Sequence, residues 1–122
     1  MMLSREVLRP GRRCTVFALV VDRGCEVTDY LMELPEDVRL KMEAVIKGLA
    51  DEGFVPNQQK FRRLDAGVYE LKLRDPPVRL FCFQDGRNWV CTHGHTKSGP
   101  HELRTHIAKV ESLRKRWLEE CL

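Results

Sequence analysis

The spacing of apolar positions changes along the chain, and each change predicts an element. Cys14 to Val21 (CTVFALVV) is a continuous, β-branched apolar run and predicts a buried strand. The residues before it, 1–13, have no such run and carry arginines, which predicts a flexible basic arm. Val27, Tyr30, Leu31 and Leu34 then recur at helical spacing, and Pro35 ends that helix and can open the next at its first turn. In the second helix Val38, Met42, Val45, Ile46 and Leu49 form one stripe. Glu36 and Asp37 suit its positive end, and Gly53 is its stop.

After a polar connection through Pro56, Asn57 and Gln58 the period falls to two. Val68 to Arg74 (VYELKLR) predicts a strand with Tyr69, Leu71 and Leu73 toward the core and Val68, Glu70, Lys72 and Arg74 facing away. Asp75-Pro76-Pro77 and Asp85-Gly86 are turn signals around Val78 to Phe83 (VRLFCF), and Asn88 to His95 (NWVCTHGH) completes a sequential antiparallel meander. The tail places Leu103, Ile107, Val110, Leu113 and Trp117 on one helical face, with Ser98 or Gly99 near the cap and Pro100 in the first turn. The expected fold is α+β, in the order β-α-α-β-β-β-α, an antiparallel sheet with helices packed on one face. All 122 residues fit a single domain of this kind.

Composition adds that the chain folds without staples: 43% of residues are hydrophobic and 32% charged, which is neither a disordered nor a membrane composition. The five cysteines are widely spaced with no C-x-x-C pair. That pattern points to a reducing, cytoplasmic setting. The longest apolar run is too short for a membrane span, and no signal peptide is expected.

The net charge of +3 is modest, but it is unevenly spread: residues 25–53 carry three basic and eight acidic residues, residues 54–100 eight and four. Separation of this kind suits a polyanion site or an oppositely charged partner. Within the basic segment, the hairpin around Pro76 and Pro77 has a register that sets Lys72 beside Arg79. Like charges placed opposite each other destabilise a sheet by tenths of a kcal/mol to about 1 kcal/mol, and a phosphate between them relieves the repulsion. The plainer reading is solvated strand residues with Glu70 as counterion.

A second group is His93, His95 and Lys97, where the last strand ends. His93 and His95 alternate onto one face with Cys91, which offers acid/base groups near neutral pH. It also offers three potential metal ligands, but their spacing on one strand lacks the two-cluster pattern of a metal site, and no metal is expected. Alternatively His93 packs in the core and Gly94 marks a bulge. His101 could reach the strand end from the last helix, whereas His106 reads as a helix-surface or partly packed residue.

The order of these motifs resembles the RelE/ParE superfamily of bacterial toxins, in particular the HigB branch that includes phage-derived host-inhibition proteins. The resemblance runs from about Val27 to Leu118 and rests on YLMELPEDVRLKMEAVIKGLADEG, FRRLDAGVYELKLRD, VRLFCF, the strand ending HGHTK, and a closing helix from Pro100. It implies a type II toxin that enters the ribosome and cleaves mRNA as an endoribonuclease without metal or cofactor, silenced by a cognate helix-turn-helix antitoxin with which it can form an oligomer. It implies catalytic roles for Lys72, Arg79 and His95, and RNA contacts by Arg62, Arg63, Arg74 and Lys97. The chain departs from the potent nucleases in having Glu70 where they have a lysine, Ser98 after Lys97 rather than a second lysine, and no tyrosine in the last helix. Two alternatives follow: a non-enzymatic ParE-like gyrase inhibitor, and a catalytically silent phage or mobile-element binding module.

Overall fold

The computed structural model describes residues 1–97 and 99–120. Nine elements follow one another: β1 (Leu3–Pro10), β2 (Thr15–Val21), α1 (Glu26–Glu33), α2 (Glu36–Glu52), β3 (Phe61–Asp65), β4 (Val68–Leu73), β5 (Val78–Asp85), β6 (Asn88–Thr96) and α3 (Pro100–Glu120). The strands form a single six-stranded sheet in the order β1-β2-β6-β5-β4-β3. Neighbours are antiparallel except β2 and β6, which run parallel over Val16 to Ala18. That parallel pair exists because α1, α2 and three strands intervene before the chain returns beside β2.

The α+β class expected from the sequence holds, as does the sequential meander of β4, β5 and β6. Two strands went unforeseen. The supposed flexible arm supplies β1, an edge strand paired with β2 from Leu3↔Val21 to Pro10↔Thr15. Its side chains are mostly exposed, so backbone pairing rather than an apolar period makes it a strand. The segment FRRLD is β3, closed onto β4 by a turn in which Gly67 adopts φ 79°. A bulge between Arg63 and Asp65 breaks its alternation, and that hides the strand in the sequence.

Helices α1 and α2 pack together on one face of the sheet. Val27, Leu31, Met42, Ile46 and Leu49 meet Val16, Leu71, Leu80 and Trp89 there. Burying each such side chain stabilises the fold by about 1.5–3 kcal/mol. Trp89 also donates its indole N–H to the carbonyl of Gly53 (3.2 Å), the left-handed residue that caps α2, and so ties that helix end to β6. Helix α3 lies on the opposite face, where Val110, Leu113 and Trp117 cover Leu19, Phe83 and Val90. Residue Ser98, one of the two expected caps, lies outside the described residues; the Leu103 N–H bonds the Gly99 carbonyl at 2.9 Å.

The expected facing of β4 holds in part. Leu71 is buried under α2, but Val68 and Glu70, placed away from that core, are themselves fully buried because α3 and the cationic side chains cover them. The four described cysteines are free. No helix among the described residues is long and apolar enough to cross a membrane.

Gly94 is required for a reason other than a bulge. A methyl group there would collide with the ring of Tyr30, through which α1 rests on β6. Gly94→Ala should therefore destabilise the protein by about 1–3 kcal/mol, measured as a fall in the urea midpoint at unchanged slope. A midpoint equal to wild type would show that the ring is free to move aside.

Candidate functional site

Antiparallel pairing across β4, β5 and β6 sets Lys72 opposite Arg79 and Arg79 opposite His95. The expected pairing of Lys72 with Arg79 is thus present, and His95 extends the same row across a third strand. The next row inward runs Arg62, Glu70, Phe81 and His93. Both rows lie on the α3 face. The side chains of Lys72, Arg79 and His95 remain 22%, 20% and 33% exposed.

A local irregularity makes this alignment possible. Phe81 pairs with His93 but Cys82 with Cys91, so Thr92 is an extra residue in β6. The phase of β6 inverts across it. Cys91 therefore faces the α1/α2 core, against the expectation that it shares a face with His93 and His95. Among the described residues no three acidic, cysteine or histidine side chains are arranged to hold a metal ion.

Glu70 organises the cations. Its carboxylate is fully buried, with Oε2 accepting from Arg79 Nη1 at 3.2 Å, and Oε1 lying 3.0 Å from Arg62 Nη2 and 3.9 Å from Lys72 Nζ. The contact with Arg62 is an ion pair without hydrogen-bond alignment, so Oε1 accepts no hydrogen bond among the described residues. Three cations around one carboxylate leave the cluster net positive. Burial, then the charges of Arg62, Arg79 and Arg74, draw the Lys72 ammonium below its usual range, with Glu70 opposing. Lys72, Arg74 and Arg79 line one pocket of about 300 Å³ with Gln59, Leu73 and Pro77.

The other nominated residues separate. Arg62 joins the cluster through Glu70, whereas Arg63 pairs with Tyr69, points to the other face and bonds the Asp65 carbonyl at 3.4 Å. Lys97 is exposed beyond β6, its backbone N–H on the Pro77 carbonyl at 3.1 Å. His101 is exposed and does not reach the strand; Glu102 takes that place, 3.4 Å from His95 Nε2.

His106 was undervalued in the sequence. It stacks on Phe81 at 4.8 Å between ring centroids, lies 4.5 Å from the His95 ring, and hydrogen-bonds His93 at 2.8 Å. The signal was available, because position 106 follows Leu103 by three residues and precedes Val110 by four, on the buried stripe of α3.

These features define a six-stranded α+β domain with a partly open cationic row at one end of the sheet. By comparison with known families the chain belongs to the family described as Phage derived protein Gp49-like (DUF891), whose model matches residues 29–117. Strands β1 and β2 lie outside the matched stretch. No curated protein and no solved structure matches the chain.

His93 supplies a pH dependence with a definite sign. Burial, followed by the charges of Lys109, His106 and His95, lowers its pKa from 6.5 to about 3. The folded state therefore resists a proton that the unfolded chain accepts. The stabilisation is complete above the unfolded value and is lost as pH falls toward 3. Urea unfolding should show stability falling between pH 7 and pH 4, with up to about 3 kcal/mol attributable to this group. His93→Gln, which hydrogen-bonds but does not titrate, should flatten that part of the curve; an unaltered slope would assign it to other groups.

Proposed function

We propose that this protein is the toxin of a type II toxin-antitoxin pair and cleaves mRNA on the ribosome. The observation that carries the reading is the row of Lys72, Arg79 and His95, directly opposite one another on three strands at the uncovered end of one sheet face. Membership of a phage-derived family is compatible with a toxin module.

The chemistry suits an RNA phosphodiester. A ribose 2′-oxygen attacks the adjacent phosphorus, its proton passes to a base, and the 5′-oxygen leaves with a proton as the cyclic phosphate forms. Negative charge accumulates on the phosphoryl oxygens, and fixed cations lower that barrier. Arg79, oriented by Glu70, and Lys72 supply the cations, and His95 supplies the proton-transfer group. Arg74 and Arg62 extend the basic surface along the strand direction, while Arg63 and Lys97 can contact RNA only outside the row. The cognate partner is a helix-turn-helix antitoxin that blocks access to this face.

One observation favours the second reading, a phosphate-binding module without cleavage: the Glu70 carboxylate already occupies Arg79 Nη1 and lies beside Arg62. Expression of the wild-type chain in translating cells separates the readings. Growth arrest with mRNAs cut within codons, reduced about 10²-fold or more by Lys72→Ala and by Arg79→Ala, is the expected result. Intact mRNA, with wild type and both variants behaving alike, would reject the nuclease. Inhibition of gyrase supercoiling in that case would point to a ParE-like inhibitor.

A further inference from the structure

The nuclease reading leaves a buried polar chain unused. Thr92, the bulge residue, is 2% exposed, and its hydroxyl lies 3.4 Å from the Phe81 carbonyl and 2.8 Å from His93 Nδ1. His93 Nε2 in turn lies 2.8 Å from His106 Nδ1. All three contacts are made at once in one polarity only; the reverse, with Thr92 donating to His93 Nδ1, leaves the 3.4 Å contact to Phe81 unmade. A carbonyl can only accept, so the single hydroxyl hydrogen of Thr92 goes to Phe81. Thr92 then accepts from the Nδ1–H of His93. That leaves a lone pair on His93 Nε2, which accepts from the Nδ1–H of His106. The remaining nitrogen of His106, Nε2, carries an unshared pair.

We propose that His106, held in this tautomer by His93 and Thr92, is a proton-accepting group of the same phosphate site and takes up a proton when an RNA phosphodiester binds beside Arg79 and His95. This rests on the phosphate reading of the row and adds to it a residue and a proton. The geometry makes His106 the member of the pair that can charge. A proton added to its Nε2 leaves the bond to His93 intact, whereas a proton on His93 Nε2 would meet the Nδ1–H of His106 head-on.

The groups facing His106 come from three elements. His95 on β6, Arg79 on β5 and Lys109 on α3 all oppose a positive charge there, Glu102 on α3 favours one, and His93 on β6 is its hydrogen-bond partner. Burial is the largest influence and acts in the same direction as the cations, holding the imidazole below its usual range. Lys109 is itself paired with Glu26 at 2.8 Å. An empty site therefore keeps His106 neutral. A phosphodiester supplies the negative charge that these cations lack, and His106 responds by binding a proton.

The test uses the full chain, ring-nitrogen NMR of its histidines, and a dinucleotide whose attacking sugar is 2′-deoxy, so that it binds but is not cut. Wild-type His106 should be the Nδ1–H tautomer when neutral, and its titration midpoint should rise by about 1 unit with the dinucleotide bound. Thr92→Val, which removes the hydroxyl at nearly constant volume, should leave the fold in place and give a mixture of His106 tautomers. An Nε2–H tautomer in wild type overturns the proposal. So does an unmoved His106 midpoint while Lys72 and Arg79 resonances respond to the dinucleotide, and in that case the phosphate site itself stands. If Lys72 and Arg79 do not respond either, the phosphate site falls and this inference falls with it.

Discussion

The extra residue at Thr92 is the constraint on which the arrangement of the site depends. Up to Cys91, strand β6 sends its odd-numbered side chains into the core beneath α1 and α2, where Trp89 and Cys91 are buried. Beyond the bulge the phase inverts, and His93 and His95 face α3 beside Phe81 and Arg79. Without the inserted residue the histidines would enter the apolar α1/α2 core, and burying polar groups there without partners costs several kcal/mol. The bulge also frees the Thr92 hydroxyl to serve as a hydrogen-bond partner for His93. A single backbone irregularity thus sets both the position of the histidines and the partner of one of them.

The second organising element is electrostatic. Arg62, Lys72 and Arg79 each come within 4 Å of one carboxylate, and without it their mutual repulsion would splay them toward solvent. Glu70, buried in their midst, opposes this. Exposed ion pairs contribute little, but removing one partner of a buried cluster typically costs 3–5 kcal/mol because the remaining charges are left uncompensated. The carboxylate therefore exchanges some positive charge for fixed geometry.

Much of this was legible in the chain itself. Period-two spacing located β4, turn residues bracketed β5, and the hairpin between them allowed the register that pairs Lys72 with Arg79. Stripes of period 3.6 located the helices. What escaped was whatever broke a period: β1, held by backbone bonds with few buried side chains; β3, whose bulge disrupts its alternation; and, within the foreseen β6, the reversal of facing at the inserted Thr92. Charge was misjudged for a related reason. Glu70 alternates with apolar residues as a surface residue should, yet it is fully buried among the surrounding cations. His106 was read as a helix-surface or partly packed residue, and what it packs against is the site.

That last point links the stability of the fold to the site. The amino-terminal half of α3 meets the sheet through His106 on Phe81 and His93, while its carboxyl-terminal half is held by Val110, Leu113 and Trp117. The apolar half supplies the docking energy, since each buried side chain there is worth more than an imidazole contact. The polar half supplies position, because hydrogen bonds are directional and an apolar surface is not. The helix is thus anchored at one end and oriented at the other. The orienting end borders the row of Lys72, Arg79 and His95, so any change in charge at His106 acts on the docking of α3 as well as on whatever occupies the row.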